Sequence, residues 1–132
     1  PLFKPPYSHI TAIDMNTGDH LWQLPIGETP ERVLNHPDLQ DMDIPTTGTG
    51  SNAAMGVTET VFMYASTASD GTSMLYFVDK ISGEQLGGIE VEDRINYGLM
   101  NYIHNGKQYI ILQTGPKLTA MALYEDTDDD SY

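Results

Sequence analysis

The chain has 132 residues, with 19 Asp and Glu against 6 Lys and Arg, a formal net charge of −13. That length suits one domain with one core, and the 39% apolar content with 8 Tyr argues against a disordered chain. So few cations cannot build a face for nucleic acid or an anionic membrane, no apolar run approaches the ~20 residues of a spanning helix, and the lack of Cys excludes disulfides and thiolate chemistry.

The N-terminal stretch Pro1-Leu2-Phe3-Lys4-Pro5-Pro6-Tyr7 has no initiator Met and no signal-peptide pattern. It reads as a connecting segment leading into a strand, and the chain is expected to be a piece of a longer polypeptide or a mature product. Two strands, 8–14 and 20–25, flank the turn cluster Asn16-Thr17-Gly18-Asp19 and make a hairpin. Residues 26–52 then hold Pro30, Pro37 and Pro45 and many acids, with little periodicity. Within them Thr29 is predicted to cap a short helix with Pro30 at its first position, ended by Pro37. A connection this long points to function or an interface.

Strands resume at 53–58, 60–66, 73–79 and 84–91. The run Met74-Leu75-Tyr76-Phe77-Val78 is continuous and apolar, which predicts burial on both faces. Strands at 97–103 and 107–114 flank Asn105-Gly106, a strong hairpin signal, and a last strand covers 118–124. The total of about nine strands with closely spaced turns predicts an all-β fold. The acidic tail 125–132 reads as a solvated end, because it lacks the glycine turn and distal Glu of a calcium loop.

An internal repeat emerges from this pattern. Ala12-Ile13-Asp14-Met15-Asn16-Thr17-Gly18-Asp19-His20-Leu21-Trp22 returns 65 positions later as Phe77-Val78-Asp79-Lys80-Ile81-Ser82-Gly83-Glu84-Gln85-Leu86-Gly87. Asp14, Thr17, Gly18 and Leu21 match Asp79, Ser82, Gly83 and Leu86. Glycine supplies the positive φ of a tight turn, and the hydroxyl and carboxylate satisfy turn amides. Trp22 is predicted to anchor neighbouring sheets, a contact weakened in the second copy, where Gly87 takes its place. Repeated small sheets imply a radial or stacked array.

The Ala-x-Asp-x-x-Thr-Gly-x-x-x-Trp pattern resembles the tryptophan-docking motif of quinoprotein β-propellers. Residues 6–14, the stretch Gly27–Pro37 with Asp43-Ile44-Pro45, and Asn105–Ile110 are similar to the late blades of membrane-type, glucose dehydrogenase-like quinoproteins. The resemblance implies an eight-bladed propeller in a longer parent, of which this chain is a single partial domain of about two antiparallel blades. Residues 8–25 would end one blade, 26–52 form a long loop, 53–91 make a complete four-stranded blade, and 97–124 an incomplete last one. The open strand edges would pair with the remainder of the propeller or with another chain.

The resemblance also implies a dehydrogenase oxidising small alcohols or sugars. It would use pyrroloquinoline quinone (PQQ) and a calcium-type divalent metal, with hydride passing to the quinone and an Asp as general base. By the same token the parent is expected in the periplasm, and this segment inserts in no membrane. No stretch here matches the catalytic Asp or the metal ligands, so neither is assigned. The isolated segment is expected to hold no cofactor and to turn nothing over. One residue aligns with a cofactor contact: Asn52, whose amide would reach a quinone oxygen. Ala53 and Ala54 stand where relatives carry glycines. The bland alternative is an Asn that satisfies turn amides before the strand.

Other signals are weaker. Gly48, Gly50 and Ala53 fit a dinucleotide fingerprint by spacing, but they follow no buried strand. His9, His20, His36 and His104 are too scattered for a metal motif, and no nucleophile elbow occurs. The competing reading is a non-catalytic propeller module for binding or assembly, suggested by Ala53, Ala54 and Gly87.

Overall fold

A computed structural model describes residues 3–122. Nine strands form three antiparallel sheets in chain order among these residues. The first pairs β1 (His9–Ile13) with β2 (His20–Pro25). The second runs β3 (Met55–Val57), β4 (Val61–Thr67), β5 (Ser73–Asp79) and β6 (Gln85–Glu90). The third runs β7 (Met100–His104), β8 (Lys107–Thr114) and β9 (Lys117–Ala122). This is the all-β, partial-propeller architecture expected from the sequence. Strand residues 123–124 and the acidic tail lie outside the described residues.

The middle sheet holds the other two in place, and its alternation explains how. On β4, Phe62 and Tyr64 face one way while Val61, Met63 and Ala65 face the other. On β5, Tyr76 and Val78 share the first face, Leu75 and Phe77 the second. The first face packs on Ile10, Trp22, Leu24 and Ile26, and the second on Val91, Ile95, Leu99, Ile110, Leu112 and Met121. Leu75 and Val78 are both fully buried, one on each face. The continuous apolar run therefore marks a strand buried on both sides, as predicted. At about 1.5–3 kcal/mol per large apolar side chain, such burial holds the neighbouring sheets without covalent help.

The two copies of the repeat share their turn hydrogen bonds from backbone amides. The Asp14 carboxylate accepts from the amides of Asn16 and Thr17, and Asp79 accepts from those of Ile81 and Ser82. Gly18 N–H donates to the Asp14 carbonyl at 2.7 Å, and Gly83 N–H to the Asp79 carbonyl at 2.9 Å. Both pairs carry a bulge at the same place, with Leu21 and Leu86 as the extra residues. The Ser82 amide and hydroxyl, with the Ile81 amide, hold the Asp79 carboxyl below the usual carboxylate range.

Trp22 lies between the first two sheets. Its indole N–H donates to the Lys80 carbonyl at 3.0 Å, and its ring lies 6.1 Å from that of Phe62. The ring also rests on Gly83, where an added Cβ would fall 2.6 Å from Trp22 Cγ. Gly83, at φ 76°, thus serves the turn and the neighbour at once. At Gly87 an added Cβ meets nothing within 4 Å.

The 26–52 connection departs from expectation. Its helix, α1 (Glu31–Leu34), is one turn, with Pro30 rather than Thr29 at the cap position and no side-chain cap. The Thr29 hydroxyl instead accepts from the buried Thr47 amide at 3.1 Å. That amide would otherwise be orphaned, a larger cost than an uncapped surface turn. Pro37 does not terminate α1, which has already stopped; it opens a 3₁₀ turn, Pro37–Leu39, capped by His36 Nδ1. Strand β3 is shorter than the 53–58 expected, and β7 begins at Met100 rather than 97.

Two outcomes test this packing. Gly83→Ala meets positive φ and the indole together and is expected to cost about 2–4 kcal/mol, whereas Gly18→Ala meets only positive φ and should cost about 1–2. Urea midpoints of the two variants measure the difference, and equal losses would mean that the indole does not press on Gly83. The second outcome concerns Tyr64, which stacks on Phe62 and Tyr76 and has its hydroxyl pKa pushed up to about 12 by burial, then by Tyr76. A folded pKa above the unfolded value of about 10 favours the neutral form. Its stability contribution is therefore intact below pH 10 and lost as pH climbs towards 12. Tyr64→Phe should flatten that alkaline loss in a denaturation series, and an unchanged slope would place the effect elsewhere.

Candidate functional site

The hairpin topology sorts the loops onto two ends. One end carries the repeat turns at 14–19 and 79–84, with the turns at 58–60 and 105–106. The other end carries the sheet-to-sheet connections 26–54 and 91–99, with the turns at 68–72 and 115–116. The polar cleft lies at this connection end. Ser51, Asn52, Ser66, Thr67, Ser73 and Arg94 line it, over Ala65 and Ile95.

Each wall has its own support. Asn52 follows a loop whose two glycines both take positive φ, Gly48 at 75° and Gly50 at 79°. A Cβ on Gly48 would fall 2.5 Å from the Ser8 carbonyl, so only glycine lets the loop lie this close to the start of β1. Three further bonds fasten it there. Tyr7 N–H donates to the Thr47 carbonyl at 2.7 Å, Thr49 N–H to the Ile26 carbonyl at 2.9 Å, and Gly50 N–H to Ser8 Oγ at 3.0 Å. Thr67 ends β4 opposite Ser73, which starts β5. Arg94 is placed by buried Ile95, which bridges to Thr114, and by its own amide, which donates to Asp93 Oδ1 at 2.7 Å.

The cleft is rich in donors and poor in partners. Ser66 contributes to the cleft at the end of β4, but its buried Oγ, unpartnered among the described residues, faces Gly27, where an added Cβ would collide with it, on the side of β4 away from Ala65 and the cleft floor. Asn52 is exposed, and no hydrogen bond among the described residues engages its amide. No described carboxylate pairs with the Arg94 guanidinium, although Lys117 meets Glu92 at 3.3 Å nearby. The enclosed part of the cleft is small, about 10 Å³, room for one water or one ligand oxygen. A polar rim of this size meets at most one edge of a ligand.

The other sequence signals do not converge here. Gly48, Gly50 and Ala53 open no helix; they lead into β3, which removes the dinucleotide fingerprint. The histidines stay apart, and the described residues hold no cluster of three or more metal-ligating side chains. Arg94 escaped the sequence reading because it sits in no motif. The only available signal was its rarity, as one of six cations in an acidic chain.

Two larger apolar clefts lie between the sheets. One of about 600 Å³ lies between the first two sheets, against Ile10, Trp22, Val57 and Phe62. Another of about 270 Å³ lies between the second and third, against Phe77, Ile89, Ile110 and Met121. No described strand pairs with the outer side of β9 or with the side of β1 away from β2.

Comparison with known proteins places the chain. The family described as glucose/ethanol/alcohol dehydrogenase, beta-propeller domain, labelled PQQ, matches residues 1–110. The chain belongs to this PQQ-type dehydrogenase propeller family. Searches of curated proteins and of solved structures returned no significant match.

Proposed function

We propose that the chain is an arc of the propeller of a PQQ-dependent dehydrogenase oxidising alcohols or sugars, and that Asn52 holds the cofactor. The observation that carries this reading is the family match over residues 1–110, joined to a donor-lined cleft at the connection end. When bound, the quinone supplies the two-electron acceptor for hydride from the substrate carbon, and a calcium-type metal supplies Lewis acidity. This chain's own residues bind and orient. The Asn52 amide would donate to a quinone oxygen, with the glycine-bearing loop before it fixing its place. The general base and the metal ligands belong to other blades. One complete blade and two partial ones cannot enclose a cofactor, so the chain alone is expected to turn nothing over.

An extracytoplasmic location, the periplasm, goes with this reading. No described helix is long and apolar enough to cross a membrane. The edges of β1 and β9 complete the picture, since each adjoins an apolar cleft that a further strand would fill. We assign those edges to the remainder of the propeller, or in its absence to another chain.

The second reading, a binding or assembly module without quinone, draws on Ala53, which packs into the first core face where a glycine would leave room. Reconstitution separates the two. The complete parent with PQQ and calcium should show quinone absorbance that follows the protein, and Asn52→Ala should weaken retention about tenfold. No protein-bound quinone would defeat the dehydrogenase reading, and undiminished binding in Asn52→Ala would remove Asn52 alone. For the edges, light scattering of the 132-residue chain should show assemblies that grow with concentration. A monomer throughout would mean that the edges are self-protected.

A further inference from the structure

The repeat leaves one seat empty. Trp22 fills the seam between the first two sheets, and its counterpart 65 positions on, in the seam between the second and third, is Gly87. We infer that this second seat is a docking site for an aromatic side chain, supplied by the strand that pairs with the free edge of β9. The inference rests on the proposed reading of that edge and adds what the incoming strand must carry.

Register places the seat. Trp22 pairs across its sheet with Ala12, and Gly87 pairs with Phe77, the residue that answers Ala12 in the repeat. Cross-strand partners share a face, so a side chain at 87 would enter the second seam with Phe77 and Ile89, as Trp22 enters the first with Ala12 and Ile10. The far wall corresponds too. Trp22 meets Phe62, whose cross-strand partner is Val78, and the second seam presents the cross-strand pair Ile110 and Met121 instead.

The seat is open. An added Cβ at Gly87 meets nothing within 4 Å, and Phe77, though larger than Ala12, does not close the gap. A cleft of about 270 Å³ remains, against Val61, Met63, Phe77, Ile89, Ile110 and Met121. An apolar cavity of about 150 Å³ takes a benzene ring, so this one admits a single flat ring system. Its polar side chains, Thr58, Thr60 and Gln108, come from the repeat-turn end and suit the N–H or O–H edge of an indole or phenol. The cleft also prolongs the packed seam of Met63, Leu75 and Leu112 to Met121 and Ala122 of β9, the edge strand. A strand added there turns alternate side chains towards the opening.

Melting temperatures of the dilute 132-residue chain and of the complete parent propeller test the assignment, each as Gly87→Ala and Gly87→Trp. The alanine variant carries the backbone effect of losing a glycine, so the comparison isolates the ring. In the chain, Gly87→Trp is expected to melt several degrees above Gly87→Ala, and free indole to raise the melting temperature of Gly87→Ala but not of Gly87→Trp. In the parent the order of the two variants is expected to reverse, because a second ring overfills a seat already taken. Failure of either result in the chain would overturn the inference, by showing that the seat is closed. Gly87→Trp melting higher in the parent as well would overturn it, by showing the seat empty there. Amide exchange along β9 tells this failure from that of the edge reading. Protection gained in the parent beside an empty seat means that the pairing strand brings no aromatic side chain; exchange as fast as in the chain means that β9 stays unpaired, which removes both.

Discussion

A β-sheet whose two faces are both apolar cannot stand in water, and the middle sheet of this chain is such a sheet. Every larger feature follows from that constraint. Met63 and Leu75 require a cover on one side, Phe62 and Val78 on the other, and the chain supplies both by running directly into a neighbouring sheet each time. Stacking of this kind is open-ended, because each added sheet brings a new face to cover. What fixes the stacking between the first pair is more specific than apolar contact. The indole of Trp22 lies on the bare backbone of Gly83 and donates to the Lys80 carbonyl, so it sets both separation and register.

The division of labour between the two ends follows from the same stacking. The repeat turns are closed by their own aspartates, which satisfy turn amides locally. The connection end must carry the chain from one sheet to the next, and its loops are held by contacts far apart in sequence, such as Gly50 to Ser8. Polar side chains from separate segments, Asn52 and Arg94 among them, therefore gather at that end.

What the sequence revealed, and what it hid, divides along the line between local and distant contacts. The hairpins, the repeat and the doubly buried strand were legible because each depends on residues within a few positions of one another. Thr29 was misjudged because its rival partner, the amide of Thr47, lies 18 residues away and is buried. A capping preference is worth about 1 kcal/mol and yields to a buried amide that has no other acceptor. The same reasoning accounts for Arg94. Acids precede it in sequence, and only the folded chain brings it to the cleft that Asn52 also lines.

An arc of a ring differs from a small domain in where its affinity for a ligand can come from. A closed domain can surround a ligand and bury most of its surface; an arc offers one wall. The cleft here has enclosed space for a single oxygen, so apolar burial contributes little at this wall. Whatever selectivity it has must come from directed donors held by a stiff support. That is why the double burial of β4 and β5 matters beyond stability. Ser66 and Thr67 leave the end of β4 and Ser73 begins β5, so their positions are set by strands that cannot shift without opening a core on both sides. The wall is rigid because it is sandwiched, and it is sandwiched because the sheet has no polar face to show to water.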